Sequence, residues 1–214
     1  MNEENQQKPF FTSLEARVIA CLMEKQLTTP NNYPLTLNSL MLACNQKSNR
    51  EPVMQLTEGQ VGHTVNTLKD RDLLEIDYSG RANHISHRVT GTLNLNKKKQ
   101  AILTVLMVRN PLTLNDIKAR TNRMVEFEDL NEINDYLEKM IAAEIPLASR
   151  INKTVGSRED RYTHMLCGEV SNTQENNKKP DRIGQRINIT KQNKLEDRLS
   201  ALEKKVEKLM ELLD

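Results

Sequence analysis

Two stretches of this 214-residue chain are dense enough in polar and cationic side chains to do chemistry. The first is the run NQKSNRE at Asn45 to Glu51, seven consecutive hydrogen-bonding residues. Its Lys47, Asn49 and Arg50 are of the types that grip phosphate or another small anion. A structural reading stands beside that one: Asn and Ser side chains satisfy turn backbone, while Arg50 pairs with an acid at a helix end. The second stretch holds Gln60, His63, Thr64, Asn66, Thr67 and Lys69 at helical spacing, followed by Arg81, His84 and Arg88. Amides and hydroxyls with cations on their flanks are the groups that meet base edges and phosphates of DNA. Glu58, Asp70 and Asp72 dilute that footprint. A solvated helix beside an ordinary hairpin is the plainer alternative.

Catalysis has no comparable foothold. Cys21, Cys44 and Cys167 are widely spaced, contain no CxxC pair, and two of them fall in apolar helical runs, which predicts buried free thiols. His84 and His87 lie three apart in an alternating segment, so they point to opposite faces and make a poor metal pair. His164, beside Arg161 and Tyr162, reads as a packed strand histidine. There is no Gly-rich phosphate loop. The chain reads as a binding protein and not an enzyme, with no cofactor and no metal expected.

The elements that must position these residues are mostly helices. Apolar residues make up 37% and charged ones 28%, with seven Gly, seven Pro, three Phe and no Trp. That composition suits aliphatic cores and long solvated helices, not a barrel built on tight turns. Net charge is +2, so no global field draws the chain to nucleic acid. No apolar run reaches membrane-spanning length, and the acidic N-terminus lacks the plan of a signal peptide, which points to the cytoplasm and away from a membrane.

Residues 1–11 read as a disordered lead. Thr12 with Glu15 forms a capping box, opening a helix from Ser13 to Gln26. Two prolines and a pair of Asn stop it over Thr28 to Pro34. Thr36 caps a short second helix through Cys44, the polar turn follows, and Thr57 with Gln60 caps a third helix from Glu58 to Asp70. The period then changes: Leu74, Ile76 and Tyr78 alternate, SGRAN turns, and Ile85, His87 and Val89 alternate again, a β-hairpin. Three helices closing on a hairpin are the winged-helix form of helix-turn-helix.

The plan repeats. PLTLN at Pro111 to Asn115 copies Pro34 to Asn38, preceded by a helix through Ala101 to Leu106 and followed by Ile133, Leu137 and Met140 at the spacing of Val61, Val65 and Leu68. Leu147 to Ile151 and Arg161 to Leu166 can form a second hairpin. The fold class is therefore mostly α with small β-hairpins (α+β): winged-helix domains at 12–95 and 96–170, a flexible basic linker at 171–190, and a coiled-coil helix at 191–214. In that last segment Leu195, Leu199, Leu202, Val206, Leu209 and Leu213 form a heptad seam. It serves a homodimer, or else folds back on the body as an amphipathic helix.

The strings LEARVIACLMEKQLTTPNNYPL and ACNQKSNREPVM resemble the signature of the YceH-like family of bacterial proteins, a family of unknown function, and GSREDRYTHMLCGE at Gly156 to Glu169 resembles its C-terminal motif. The resemblance covers Ser13 to Glu169. It implies a tandem winged-helix fold in a bacterial cytoplasm and no activity. The chain departs from the family between Arg109 and Arg120, where NPLTLNDIKAR replaces a segment with Gly and Pro.

The expected function is DNA binding through helix three and the wing of the first domain, as a dimeric transcriptional regulator. The alternative is a protein-interaction adaptor built from paired winged helices. That alternative draws on the second domain, whose third-helix stretch carries Glu126, Glu128, Asp129, Glu132, Asp135, Glu138 and Glu144 against Lys139, a surface for a protein partner and not for phosphate.

Overall fold

The computed structural model describes residues 10–80, 82–109, 111–151 and 159–168. The chain divides into two units, 1–170 and 171–214, and every described residue belongs to the first. The linker and coiled helix expected at 171–214, with Leu195, Leu199, Leu202, Val206, Leu209 and Leu213, lie outside the described residues. So does residue 81.

Helix α1 spans Ser13–Thr28. Thr12 caps it, its hydroxyl accepting from Glu15 N while the Glu15 carboxylate accepts from Thr12 N at 2.7 Å. The helix runs two residues beyond the expected end at Gln26, and Pro30–Asn32 then form a single 3-10 turn. The two-residue strand β1, Leu35–Thr36, leads into α2 at Leu37–Cys44, capped by Thr36. Helix α3 covers Glu58–Asp70. The hairpin strands are β2, Leu74–Asp77, and β3, His84–His87. Val89, expected to extend the hairpin, instead opens the one-turn helix α4 at Val89–Thr92. The three strands form one antiparallel sheet in the order β1-β3-β2.

The second half repeats the order with helices α5 (Lys97–Val108), α6 (Leu114–Thr121) and α7 (Leu130–Ile141), then strands β4 (Ala148–Ile151) and β5 (Arg161–His164). The duplicated pentapeptide does the same two jobs in each half. Leu35 pairs with Ile85 in the first sheet, and Leu112 exchanges both main-chain hydrogen bonds with Tyr162 in the second. One residue later Thr36 and Thr113 cap α2 and α6. The class is mostly α with small antiparallel hairpins.

The halves share their interior. Nine consecutive residues of α1, Glu15 to Met23, are buried, and so are nine of α5, Gln100 to Val108. A helix buried all round has no solvent face and must pack on several sides at once. Phe11, expected in the disordered lead, is fully buried instead, and its N–H donates to Leu166 O at 2.7 Å. Polar links cross the same seam: Gln100 Nε2 donates to Met23 O at 3.3 Å and to Gln26 Oε1 at 2.8 Å. Gln26 Oε1 also meets His87 Nε2 at 2.9 Å. Because an amide oxygen only accepts, that nitrogen carries the hydrogen.

Burial pushes the His87 imidazole down to about 4, which keeps it neutral near pH 7, and does the same to His164. An unfolded histidine titrates near 6.5, so between the two values the unfolded chain binds more protons than the folded one. Stability is therefore present above about pH 6.5 and lost as pH falls toward 4, by on the order of 3 kcal/mol for each imidazole. Urea unfolding at a series of pH values should show this decline, and His87→Gln should reduce it by about half, leaving the share of His164.

Candidate nucleic-acid interface

Helix α3 begins with a second capping box. Gln60 N donates to the Thr57 hydroxyl at 3.3 Å, and Thr57 N donates to Gln60 Oε1 at 2.9 Å. Its inward stripe is Val61, Thr64, Val65 and Leu68. Thr64 was expected on the reading face, but it is 5% exposed and its hydroxyl donates back to Gln60 O at 2.8 Å. Position 64 lies three and four residues from Val61 and Leu68, so helical geometry turns it into the core. Thr67 is half-buried, with its hydroxyl given to His63 O at 3.1 Å. Gln60, His63, Asn66 and Lys69 remain exposed, three residues apart along one stripe.

Both ends of that stripe are tied to neighbouring elements. At the C-terminal end Lys69 Nζ lies 3.3 Å from Tyr78 Oη and 5.3 Å from the centre of its ring, which links α3 to the outgoing end of β2. At the N-terminal end Asn45 clasps the residue before the cap: its Nδ2 donates to Leu56 O at 2.8 Å, and Leu56 N donates to its Oδ1 at 2.7 Å. The polar turn is therefore stitched to the root of α3, with Lys47 exposed upon it. Asn49 adopts a left-handed backbone (φ 60°), which an Asn side chain tolerates, and its Oδ1 accepts from Arg109 at 2.6 Å.

Arg50 does not belong to this surface. Its residue is 4% exposed; Nε donates to Ala43 O at 3.1 Å, and the guanidinium pairs with the Glu24 carboxylate of α1. The structural reading of that side chain is the one its contacts describe. Arg88 is exposed at the base of the hairpin and pairs with Glu75 across the strands at 3.1 Å. An exposed pair of that kind holds together by only about 0.2–1 kcal/mol, so Arg88 can turn to a phosphate. Arg81 lies outside the described residues. Of the expected set, Gln60, His63, Asn66 and Lys69 stay exposed on α3, with Gln60 and Lys69 at opposite edges of its outward half; Lys47 and Arg88 are exposed on the turn and the hairpin base, and Thr64 and Arg50 are withdrawn.

The corresponding surface of the second half is acidic. Asp129 caps α7, Glu132 pairs with Lys98 of α5, and Glu138 pairs with Arg150 of β4, which leaves Asp135 and Glu144 exposed. Sequence reasoning missed a shallow polar cleft of about 560 Å³ between the end of α1, the 3-10 turn and β3, where Lys25, Asn32, Thr36 and His84 face the opening. It also missed Arg17, 2% exposed in α1, because a charged residue in an amphipathic pattern reads as solvated.

Removing the Arg50 side chain leaves the Glu24 carboxylate half-sealed without its partner. Arg50→Ala should cost about 3–5 kcal/mol in denaturant unfolding. Lys47→Ala, at an exposed position of the turn, should stay within about 0.5 kcal/mol.

Comparison with known proteins agrees with the motifs noted in the sequence. A family model described as a protein of unknown function, DUF480, matches residues 11–157. A UPF0502 protein from Cellvibrio japonicus is 41% identical over 208 residues, covering 95% of each chain. One from Pseudomonas fluorescens is 40% identical over 215 residues and 98% of each chain, and one from Vibrio campbellii is 43% identical over 166 residues, 74% of this chain and 76% of its own. At 95% and 98% of this chain, the two longer alignments extend beyond residue 170. Matched over most of its length by proteins of that description, the chain belongs to the bacterial family of unknown function DUF480.

Proposed function

We propose that the chain is a DNA-binding protein of the bacterial cytoplasm, a transcriptional regulator made of two winged helices, which reads DNA through α3 and the β2–β3 wing of its first half. The observation that carries this reading is the outward stripe of α3. Gln60, His63, Asn66 and Lys69 stand clear of the core on a helix whose other face is fully packed. Amide and imidazole groups suit base edges, and a cation at the helix end suits a phosphate. The sheet order supports the reading as well, because a hairpin that follows the third helix in a three-stranded sheet is the wing of such a domain. The leucine seam from Leu195 to Leu213 would join two copies and so set the spacing of two half-sites.

A second reading is favoured by α7 and the turn after it, where exposed Asp135 and Glu144 repel phosphate at the place where the second half would need attraction. Under it the protein is a non-enzymatic adaptor that binds another protein.

A salt titration separates the two. Fluorescence anisotropy with mixed duplex DNA should show affinity that falls as salt rises, with Lys47→Ala and Lys69→Ala each lowering the slope by about one. Asn66→Ala should relax sequence preference without changing the slope. Affinity no tighter than about 10⁻⁴ M at low salt would leave the adaptor reading.

A further inference from the structure

Two arginines are sealed into the first half beside one carboxylate. The Arg50 guanidinium has no exposed surface and pairs with Glu24. Arg17 finds no acid: it donates to Cys44 O at 3.3 Å and Pro52 O at 2.8 Å, and its Nε has no partner. One buried positive charge is therefore answered only by carbonyl dipoles, an expensive arrangement in a core. Two thiols complete the cluster. Arg17, Cys21 and Glu24 sit at i, i+4 and i+7 of α1, on one face of the helix. Cys44 is the last residue of α2, where both guanidiniums converge on the carbonyls of Ala43 and Cys44. Both thiols are free and fully buried in this cluster.

We propose that Cys21 and Cys44 form an oxidisable dithiol, a modification site for hydrogen peroxide in which Cys21 is the attacking thiolate and Cys44 the resolving thiol. Removal from water raises a buried thiol, but at Cys21 the Cys44 hydrogen bond and the Arg50 and Arg17 charges outweigh that effect and the opposing Glu24, holding it below the ordinary range. Cys44 is held above the ordinary range because it is hydrogen-bonded to Cys21 and buried. The charges thus balance inside the cluster: two guanidiniums against one carboxylate and one thiolate.

The chemistry closes without a further reactant. The Cys21 sulfur attacks one oxygen of hydrogen peroxide; an S–O bond forms, the O–O bond breaks, and the departing hydroxide takes a proton to become water. Cys44 then gives up its proton and displaces the oxygen from Cys21, so that an S–S bond forms and a second water leaves. Two thiols lose two electrons and the peroxide gains them. The S–S bond so formed has a length of about 2.05 Å. The product cancels the thiolate charge between Arg17 and Arg50 and locks the end of α2 to α1 beneath the turn that carries Lys47.

Burial makes the order of reactivity distinctive. Cys167 is half-buried, and its thiol is raised by burial and by Glu15, so it is open to reagents but poorly ionised. A bulky aromatic disulfide should label Cys167 before the pair, whereas peroxide should oxidise the pair first.

The test uses the full chain with Cys167→Ser. At pH 7 the native protein should show thiolate absorbance near 240 nm that disappears on unfolding at the same pH. After treatment with hydrogen peroxide, intact mass should fall by two hydrogens, both thiols should escape alkylation under denaturing conditions, and dithiothreitol should restore them. With Cys44→Ser added, oxidation should stop at a sulfenic acid on Cys21 that a dimedone probe captures. Two thiols still alkylatable after peroxide, absence of the thiolate band, or over-oxidation of Cys21 without a disulfide would each overturn the proposal. Should the Cys44 variant not fold, the intact pair decides the question alone.

Discussion

A helix that water does not reach has to find a partner for every polar group within the fold, and α1 is such a helix from Glu15 to Met23. Its two buried charges are answered by neighbours far along the chain. Glu15 is shared by the Thr12 cap and by Arg71 at the end of α3, at 3.0 Å. Arg17 reaches the end of α2 and the close of the polar turn. These contacts define where α2, α3 and the turn stand around α1, and α5 then covers the side that remains. Neither half could expose its first helix without stranding these groups, so the two halves make one body and not beads on a string.

That shared interior explains the different surfaces of the two third helices. Both use the same inward spacing, Val61, Val65 and Leu68 in one and Ile133, Leu137 and Met140 in the other. On the outward side of α3 the Gln60 amide closes the capping box and Lys69 meets Tyr78, while His63 and Asn66 between them stay exposed. The outward side of α7 is tied along its length, by Lys98 to Glu132 and by Arg150 to Glu138. One helix keeps exposed polar groups between its ends; the other has committed part of its charge to elements beside it.

Much of this was legible before any coordinates. Caps at Thr12, Thr36 and Thr57 mark helix starts through chemistry that a single sequence displays, and α3 has the expected bounds. The change from helical to alternating period marked the first hairpin. Misplaced residues share one physical reason. Thr64 is polar, and polarity was read as exposure, although it falls on the inward stripe; of the two readings of Arg50, the pairing with an acid of a helix is the one found, with Glu24, 26 positions away in the sequence. Phe10 and Phe11 were read as part of a lead, because nothing nearby signalled that Leu166 would supply a backbone partner. Pairing across long separations leaves no periodic trace, and that is the information a lone sequence lacks.

The pentapeptide shared by the two halves deserves a last physical reading. Its leucine joins a sheet, and the threonine beside it starts a helix, so two architectures with different periods are welded at neighbouring atoms. Inserting one residue there would slide the hydroxyl off the helix start and swing the leucine to the wrong side of the sheet in the same stroke. Neither fault could be mended without worsening the other. A joint of that kind permits drift everywhere around it while remaining spelled the same way.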